Sequence, residues 1–169
     1  SAPAFVIADS SRILTPTGIL DTLSTWGSPD QGADYLIITH PSFAATAERL
    51  ARHRHKEGLR VSVVHTTDIY DEFSHGLLDR AALKEFLQYA YNAWQVQPIY
   101  LLLLGDATFD YRNIFGGGAP SFVPSLYYHA RNRGHAPSDV QYGFLEGEDI
   151  LPDIAVGRLA VATPEEAAA

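Results

Sequence analysis

Two carboxylates follow the most apolar run of the chain and are the first candidates for chemistry. The run PIYLLLL ends in Gly105 and Asp106, and Asp110 stands four residues farther on. A carboxylate at the end of a buried strand can cap backbone amides of the next turn, ligate a metal ion or act as an acid or base. The residue types leave these three interpretations open, and Gly105 is expected to supply an unusual backbone dihedral.

Oxygen ligands for a cation are plentiful in the second half of the chain. Calcium takes six to eight oxygen ligands, often from loops. The spacing within EGEDILPD does not match an EF-hand loop, so the prediction depends on position instead. Asp106 and Asp153 both border predicted strands, and we expect these two residues to ligate Ca²⁺. The other acidic side chains in the region are Asp110, Asp139, Glu146, Glu148 and Asp149.

Two further groups of residues have the types needed for hydrolysis or general base catalysis. His135, Ser138 and Asp139 include the three residue types of a hydrolytic triad. No strand-to-helix elbow of the Gly-x-Ser-x-Gly type surrounds the serine, so a turn or cap is the preferred interpretation. His40 and His65 follow the first two predicted strands and would act as bases only beside a nucleophile, and none is evident.

The composition excludes several classes of function. The chain has 12 Lys and Arg against 20 Asp and Glu, a formal net charge of −8, and this argues against nucleic acid as a partner. No apolar stretch approaches the roughly 20 residues of a membrane span. The absence of cysteine excludes disulfides and, within this chain, a cysteine nucleophile. Because the first residue is not Met and no leader is visible, the chain is interpreted as an internal or processed piece.

The predicted secondary structure around these residues alternates between strand and helix. A helix is predicted from Pro41 to Glu57 and another after the N-cap Asp79, whereas TTDIYDEFSHG is predicted to be a connection. A third helix is expected to start at Thr163-Pro164. The predicted strands are Asp34–His40, Leu59–His65, Pro98–Asp106 and Asp153–Val161, with one brief strand-like piece at Phe122–Tyr128 in an otherwise irregular region.

This alternation predicts an α/β fold, a three-layer sandwich with a mainly parallel sheet of order 2-1-3-4, as in flavodoxin-like proteins. Residues 1–33 are expected to form a leader or linker, and residues 34–169 the α/β unit. Ligands bind such sheets at the carboxyl ends of the strands, where the strand order reverses. That position lies between Thr39-His40 and Gly105-Asp106.

Taken in order, the segments of the chain resemble the gingipain family of cysteine peptidases from about Ala33 onward. The residues that carry most of the resemblance are Gly105-Asp106, Ser138-Asp139 with Tyr142-Gly143, and Gly157-Arg158. The matching segments, in order, are ADYLIITHPSF, EGLRVSVVHTTDIYDEFSHG, AALKEFLQYAYNAW, PIYLLLLGDATFDYRN, VPS, SDVQYGF and PDIAVGRLAVATPEEA.

The resemblance implies a caspase-like fold of two α/β subdomains, with a His-Cys dyad in the second. The dyad histidine lies in a Gly-His-Gly stretch in that family, and neither this stretch nor a cysteine occurs here. The chain therefore matches the first, non-catalytic subdomain. The resemblance also implies export to the cell surface or beyond and bound calcium, with Asp106 and Asp153 as its ligands. Arg158 would pair with an acidic group near the subdomain boundary or be a plain surface residue, and the second interpretation is favoured.

The expected function is therefore support of a catalytic subdomain. The chain would be the amino-terminal subdomain of a gingipain-like cysteine endopeptidase that cleaves protein substrates, with the downstream subdomain as its partner and no activity of its own. The alternative is a non-catalytic, calcium-stabilised α/β binding or scaffold module of a surface protein.

Overall fold

The computed structural model describes residue 22 and residues 24–169 apart from positions 117, 119, 133 and 148. Two short 3₁₀-helices, Pro41–Phe43 and Asp139–Gly143, accompany the main elements. The strands and helices are β1 (Tyr35–Thr39), α1 (Ala44–Lys56), β2 (Val61–His65), α2 (Thr66–Ser74), α3 (Arg80–Ala93), β3 (Tyr100–Leu104), β4 (Tyr127–Ala130), β5 (Gly134–Pro137), β6 (Ala155–Leu159) and α4 (Pro164–Ala168).

The main sheet has four parallel strands in the order β2-β1-β3-β6. This confirms the predicted α/β fold and the order 2-1-3-4, with β6 as the fourth strand. The register aligns Thr39 with Leu104 and Leu104 with Leu159. The carboxyl ends of β1, β3 and β6 therefore meet at one edge of the sheet.

Helices cover the two faces of the sheet because successive strand residues point to opposite sides. Leu36 and Leu103 face α2 and α3, where they join the buried Phe86 in one apolar cluster. Ile37 and Leu102 face the other side and pack with residues of the Pro41–Phe43 turn and α1. The strands are apolar on both faces for this reason, and the predicted three layers are confirmed.

The segment Thr66–Ser74 is a helix, where the sequence had predicted only a connection. Helix α2 follows β2 without an intervening loop, and its first residue is not preceded by a side-chain cap. Its apolar residues pack on α3; the rings of Phe73 and Phe86 lie 5.5 Å apart, edge to face. Tertiary packing therefore stabilises this helix, in place of local start signals.

The segment before β1 packs on the helices of the larger apolar cluster. The ring of Trp26 lies 6.1 Å from that of Trp94, whose indole N–H donates to the Trp26 carbonyl at 3.1 Å. The Glu72 carboxylate of α2 accepts hydrogen bonds from the backbone of Trp26 and Gly27. Of the predicted leader, residues 1–21 and 23 lie outside the described residues.

The region between β3 and β6 contains an antiparallel hairpin of β4 and β5. The strand expected at Phe122–Tyr128 was misplaced, because Phe122 and Val123 instead donate backbone hydrogen bonds to the Asp106 carbonyl. The predicted start of the last helix is confirmed, since the Thr163 hydroxyl accepts from the Glu166 amide at 3.2 Å. Among the described residues, no helix is long and apolar enough to span a membrane.

Candidate functional site

The predicted crevice lies where β1, β3 and β6 end, and Asp106 occupies its centre. The Asp106 amide donates to the Val161 carbonyl at 2.9 Å, and its carboxylate accepts from the Ala107 amide at 2.8 Å. This confirms the interpretation that Asp106 caps a backbone amide of the following turn. The same residue therefore joins β3, the chain after β6 and, through its carbonyl, the loop at Phe122.

Gly105 permits this convergence because a side chain would not fit there. Its φ of 137° lies in a region that L-residues rarely adopt, which confirms the unusual dihedral expected there. A Cβ atom at this position would lie 2.9 Å from the Cβ of Phe122 and 3.2 Å from the Val123 side chain. The loop that begins at Phe122 can therefore cross the end of β3 only over a glycine.

Arg158 ties the same region together from β6. Its guanidinium forms a bidentate ion pair with Asp139, with Nε at 2.6 Å from Oδ2 and Nη2 at 2.8 Å from Oδ1. Nη1 donates to the carbonyls of Gly105 at 2.6 Å and Val123 at 2.8 Å, and Nη2 donates to the Ser125 hydroxyl at 3.2 Å. All five N–H donors of the guanidinium are thus satisfied.

The expectation that Arg158 is a plain surface residue is wrong. Only 12% of its side chain is exposed, and its partner Asp139 is the acidic group that the other interpretation required. The strand alternation contained a signal for this, because Arg158 shares its face of β6 with Val156, on the side of the larger apolar cluster. A charged residue on a covered face of a parallel sheet requires a buried partner.

Opposing effects act on the Asp139 carboxylate. Burial disfavours its ionisation, but hydrogen bonds from Arg158 and Ser125 and the charge of Arg158 outweigh that effect and lower the pKa of Asp139. Asp139 is therefore ionised, and its negative charge balances the positive charge of Arg158. Because every donor of Arg158 is engaged within the protein, the guanidinium positions the loops and is not free to bind an anionic ligand.

An open cleft of about 480 Å³ lies beside this ion pair. His135, Ser138 and Asp139 all line it, together with Asp106. No hydrogen bond in the described part of the chain joins His135 to Ser138, and Asp139 is already held by Arg158. Ser138 precedes the Asp139–Gly143 turn. The turn interpretation is therefore confirmed, and these residues do not form a triad.

His40 begins the loop after β1 as a local cap. Its Nδ1 lies 2.9 Å from the Ser42 hydroxyl and accepts a hydrogen bond from the Ser42 amide at 3.2 Å. Burial and the neighbouring His65 lower the pKa of His40, which favours the neutral imidazole. Because Ser42 is exposed and its contacts with His40 close the first turn of a 3₁₀-helix, the pair is a structural cap.

The two predicted calcium ligands lie at opposite edges of the sheet. Asp106 follows the carboxyl end of β3, whereas Asp153 precedes the amino end of β6, which runs parallel to β3. The strand between these ends alone spans about 13 Å at the usual rise per residue. The two carboxylates therefore do not meet, and one ion cannot be held by both.

Each of these carboxylates instead serves the backbone near it. Asp153 accepts from the amides of Leu145 at 2.6 Å and Glu146 at 2.9 Å, and these hydrogen bonds lower its pKa. No cluster of three or more His, Cys, Asp or Glu side chains that could hold a metal occurs within the described ranges. Calcium binding at either Asp106 or Asp153 stays a prediction.

The chain matches one protein family and is similar to solved protein structures. The model of peptidase family C25 matches residues 28–169. The chain is similar to the crystal structure of dimeric latent PorU from Porphyromonas gingivalis, with 26% identity and a TM-score of 0.65 over 81% of this chain and 15% of that chain. It is also similar in fold to the structure of a protease, with 21% identity and a TM-score of 0.54 over 79% of this chain and 25% of that chain.

These matches concern a minor part of each solved protein, since the chain spans only 15% and 25% of their lengths. No curated protein matches the chain.

Proposed function

This chain belongs to peptidase family C25, the gingipain family, and from that premise we propose that it is the amino-terminal, non-catalytic subdomain of a gingipain-like cysteine endopeptidase. The observation that carries the proposal is a family match over residues 28–169 in a chain that contains no cysteine. A cysteine peptidase needs a thiolate with an imidazole in hydrogen-bond reach. We therefore place the His-Cys dyad in a downstream segment.

The proposed contact with that segment is the open side of β6. Among the described residues β6 pairs only with β3, so its other backbone edge is available to a further strand. On the face of the sheet opposite Arg158, Leu159 is 47% exposed, and Tyr100 beside β6 is 42% exposed. Apolar side chains next to an unpaired edge are suited to a protein interface. Support of the catalytic subdomain is therefore proposed to act through β6.

Arg158 gives this support a physical basis. It connects β6 to the end of β3 through the Gly105 carbonyl and to the loops at Val123 and Asp139. A strand held on one side by its sheet and at its side chain by five hydrogen bonds is a rigid platform. Rigidity matters because small displacements of catalytic groups reduce the rate of the chemical step.

Peptide hydrolysis tests the assignment of the chemistry. The purified 169-residue chain is expected to hydrolyse no peptide substrate. A longer protein from the same gene that includes the downstream Gly-His-Gly stretch and cysteine is expected to be active, and to lose activity when that cysteine is replaced by alanine. Hydrolysis by the 169-residue chain itself would contradict the proposal.

Introduction of a charged side chain on β6 of the longer protein tests the supporting role. In the longer protein, Leu159→Arg is expected to lower kcat/KM at least tenfold, because a guanidinium would be buried at the interface without a partner. Leu77→Arg is the matched control, since Leu77 is 68% exposed and lies in the segment between α2 and α3. Both variants of the 169-residue chain should melt at the wild-type temperature. Equal activities of the two longer variants would reject this interface.

The remaining parts of the proposal concern location and substrate. We propose that the whole protein is exported and acts at the cell surface or outside the cell on protein substrates, as its family resemblance implies. Fractionation of cells that express the full-length protein, with antibody against the 169-residue chain, measures this directly. Recovery of the protein only from the cytosolic fraction would contradict it.

A further inference from the structure

The β4-β5 hairpin brings two histidines together that the sequence separates by five residues. His129 lies directly opposite His135 in the antiparallel register. Their ring centroids are 5.5 Å apart and their planes are inclined at 76°. Both side chains are exposed, and neither imidazole makes a hydrogen bond within the described part of the chain. The ring nitrogens of both residues are therefore available to a ligand.

This placement matches what a metal ion requires of two imidazoles. Directly opposed residues of an antiparallel pair have Cβ atoms about 4.5–5.5 Å apart. Two imidazoles that bind one ion with tetrahedral geometry and metal–nitrogen distances of about 2.0–2.1 Å have ring centroids about 5 Å apart. The observed 5.5 Å is close to that value. Because both side chains are exposed, their rings can turn a nitrogen toward a common ion without any change in the backbone.

We propose that His129 and His135 form a two-imidazole site for a divalent transition-metal ion of the Zn²⁺ type. Neutral imidazole is a preferred ligand of Zn²⁺, Cu²⁺ and Ni²⁺, whereas Ca²⁺ prefers oxygen ligands. The site therefore differs in chemistry and in place from the calcium predicted at Asp106 or Asp153. Water molecules complete the coordination, and the ion links β4 to β5 across the hairpin.

The proposed metal site borders the cleft at the carboxyl end of the sheet. His135 lines that cleft together with Asp106 and Asp139. A metal ion on His135 would hold one wall of the cleft to the opposite strand of the hairpin. Because two protein ligands leave coordination positions open, the ion can also accept a carboxylate or imidazole from a molecule in the cleft.

The experiment is a titration of the 169-residue chain with ZnCl₂, followed by NMR of the histidine side chains and by calorimetry. One equivalent is expected to shift the imidazole resonances of His129 and His135 together. The variants His129→Asn and His135→Asn are each expected to lower the affinity for Zn²⁺ at least tenfold. An equal concentration of CaCl₂ should not shift the resonances of the two histidines together.

The matched control is His53→Asn. His53 and His55 lie two positions apart on α1, where residues at that spacing do not face each other. This variant should therefore bind Zn²⁺ as the wild type does. Wild-type spectra in which only one of the two hairpin histidines responds, or neither, would overturn the proposal, as would wild-type affinity in both hairpin variants. The wild-type spectra alone show whether both hairpin histidines respond to Zn²⁺, so the proposal can be rejected even if a variant misfolds.

Discussion

Replacement of Arg158 by methionine removes the ion pair and its hydrogen bonds while it keeps much of the apolar stem. In the wild type, the guanidinium satisfies the Asp139 carboxylate and the carbonyls of Gly105 and Val123. In Arg158→Met the two carbonyls lose these donors, and Asp139 keeps only the hydrogen bond from the Ser125 hydroxyl. The variant therefore measures how far a single side chain of β6 holds the loops at the carboxyl end of the sheet.

The expected cost follows from the burial of the pair. Loss of one partner from a buried ion pair destabilises a protein by about 3–5 kcal/mol. Arg158 is 12% exposed and Asp139 27% exposed, and the neighbouring cleft lets water reach the carboxylate after the substitution. We therefore expect the lower end of that range, about 3 kcal/mol, for Arg158→Met. Arg158→Lys retains the charge but not the bidentate geometry, and should cost about 1–2 kcal/mol.

Urea unfolding followed by the fluorescence of Trp26 and Trp94 measures these costs. Both indoles pack in the larger apolar cluster and report global unfolding. With a slope of about 2 kcal/mol per molar urea, a loss of about 3 kcal/mol lowers the midpoint by about 1.5 M.

The surface pair of Arg60 and Asp34 provides the control. Arg60 is 60% exposed in its contact with Asp34 at 3.2 Å, and an exposed pair contributes about 1 kcal/mol or less. Arg60→Met should therefore shift the midpoint by no more than about 0.5 M at the same slope. If Arg158→Met destabilises the chain no more than Arg60→Met does, the account of Arg158 as a buried connector is wrong.

Three further predictions concern the same edge of the sheet and Asp153. Because the pKa of Asp139 is lowered in the folded state, its ionised form stabilises the protein fully above the ordinary Asp pKa of about 3.9, and this contribution is lost as the pH falls below that value. The urea midpoint of Asp139→Asn should therefore decline less than that of the wild type between about pH 4 and 2. Equal declines in the two proteins would contradict this. Calcium at 100 times its dissociation constant would stabilise the fold by about 2.7 kcal/mol. The rise in melting temperature should be lost in the variant that removes the ligating carboxylate, Asp106→Ala or Asp153→Ala, and kept in the other. A wild-type melting temperature unaffected by calcium and chelator would reject calcium binding. Gly105→Ala should cost about 1–3 kcal/mol in urea unfolding because its Cβ would lie 2.9 Å from Phe122, and a loss below about 0.5 kcal/mol would show that the loop adjusts.

The sheet was predictable from the sequence because its strands are covered on both faces. Such strands appear as short, continuous apolar runs, and the run that ends in Leu104 is the clearest of them. The helix before it also carried its own signals, since Asp79 caps α3 through the Ala81 amide at 3.0 Å. The order 2-1-3-4 was expected because it is a common order of doubly wound α/β sheets, with helices on both faces.

Helix α2 and the β4-β5 hairpin were not predictable in the same way. The residues of α2 have no side-chain cap before them, and Ile69 and Tyr70 are buried through their packing in the larger apolar cluster. The hairpin is short and largely exposed, so it lacks the apolar alternation that marks a half-buried strand. Contacts between segments decide the structure at both places.

The four parallel strands, the position of Asp106 at their carboxyl edge and membership of the family follow from the amino-acid sequence alone, because each depends on local patterns or on an ordered set of motifs. The roles of the charged and imidazole side chains depend on contacts between distant segments. Arg158 and Asp139 are 19 residues apart, and their ion pair exists because β6 and the loop after the hairpin meet. Asp106 and Asp153 look equivalent along the chain, yet parallel strands separate them, because the carboxyl end of one strand and the amino end of its neighbour lie at opposite edges of the sheet.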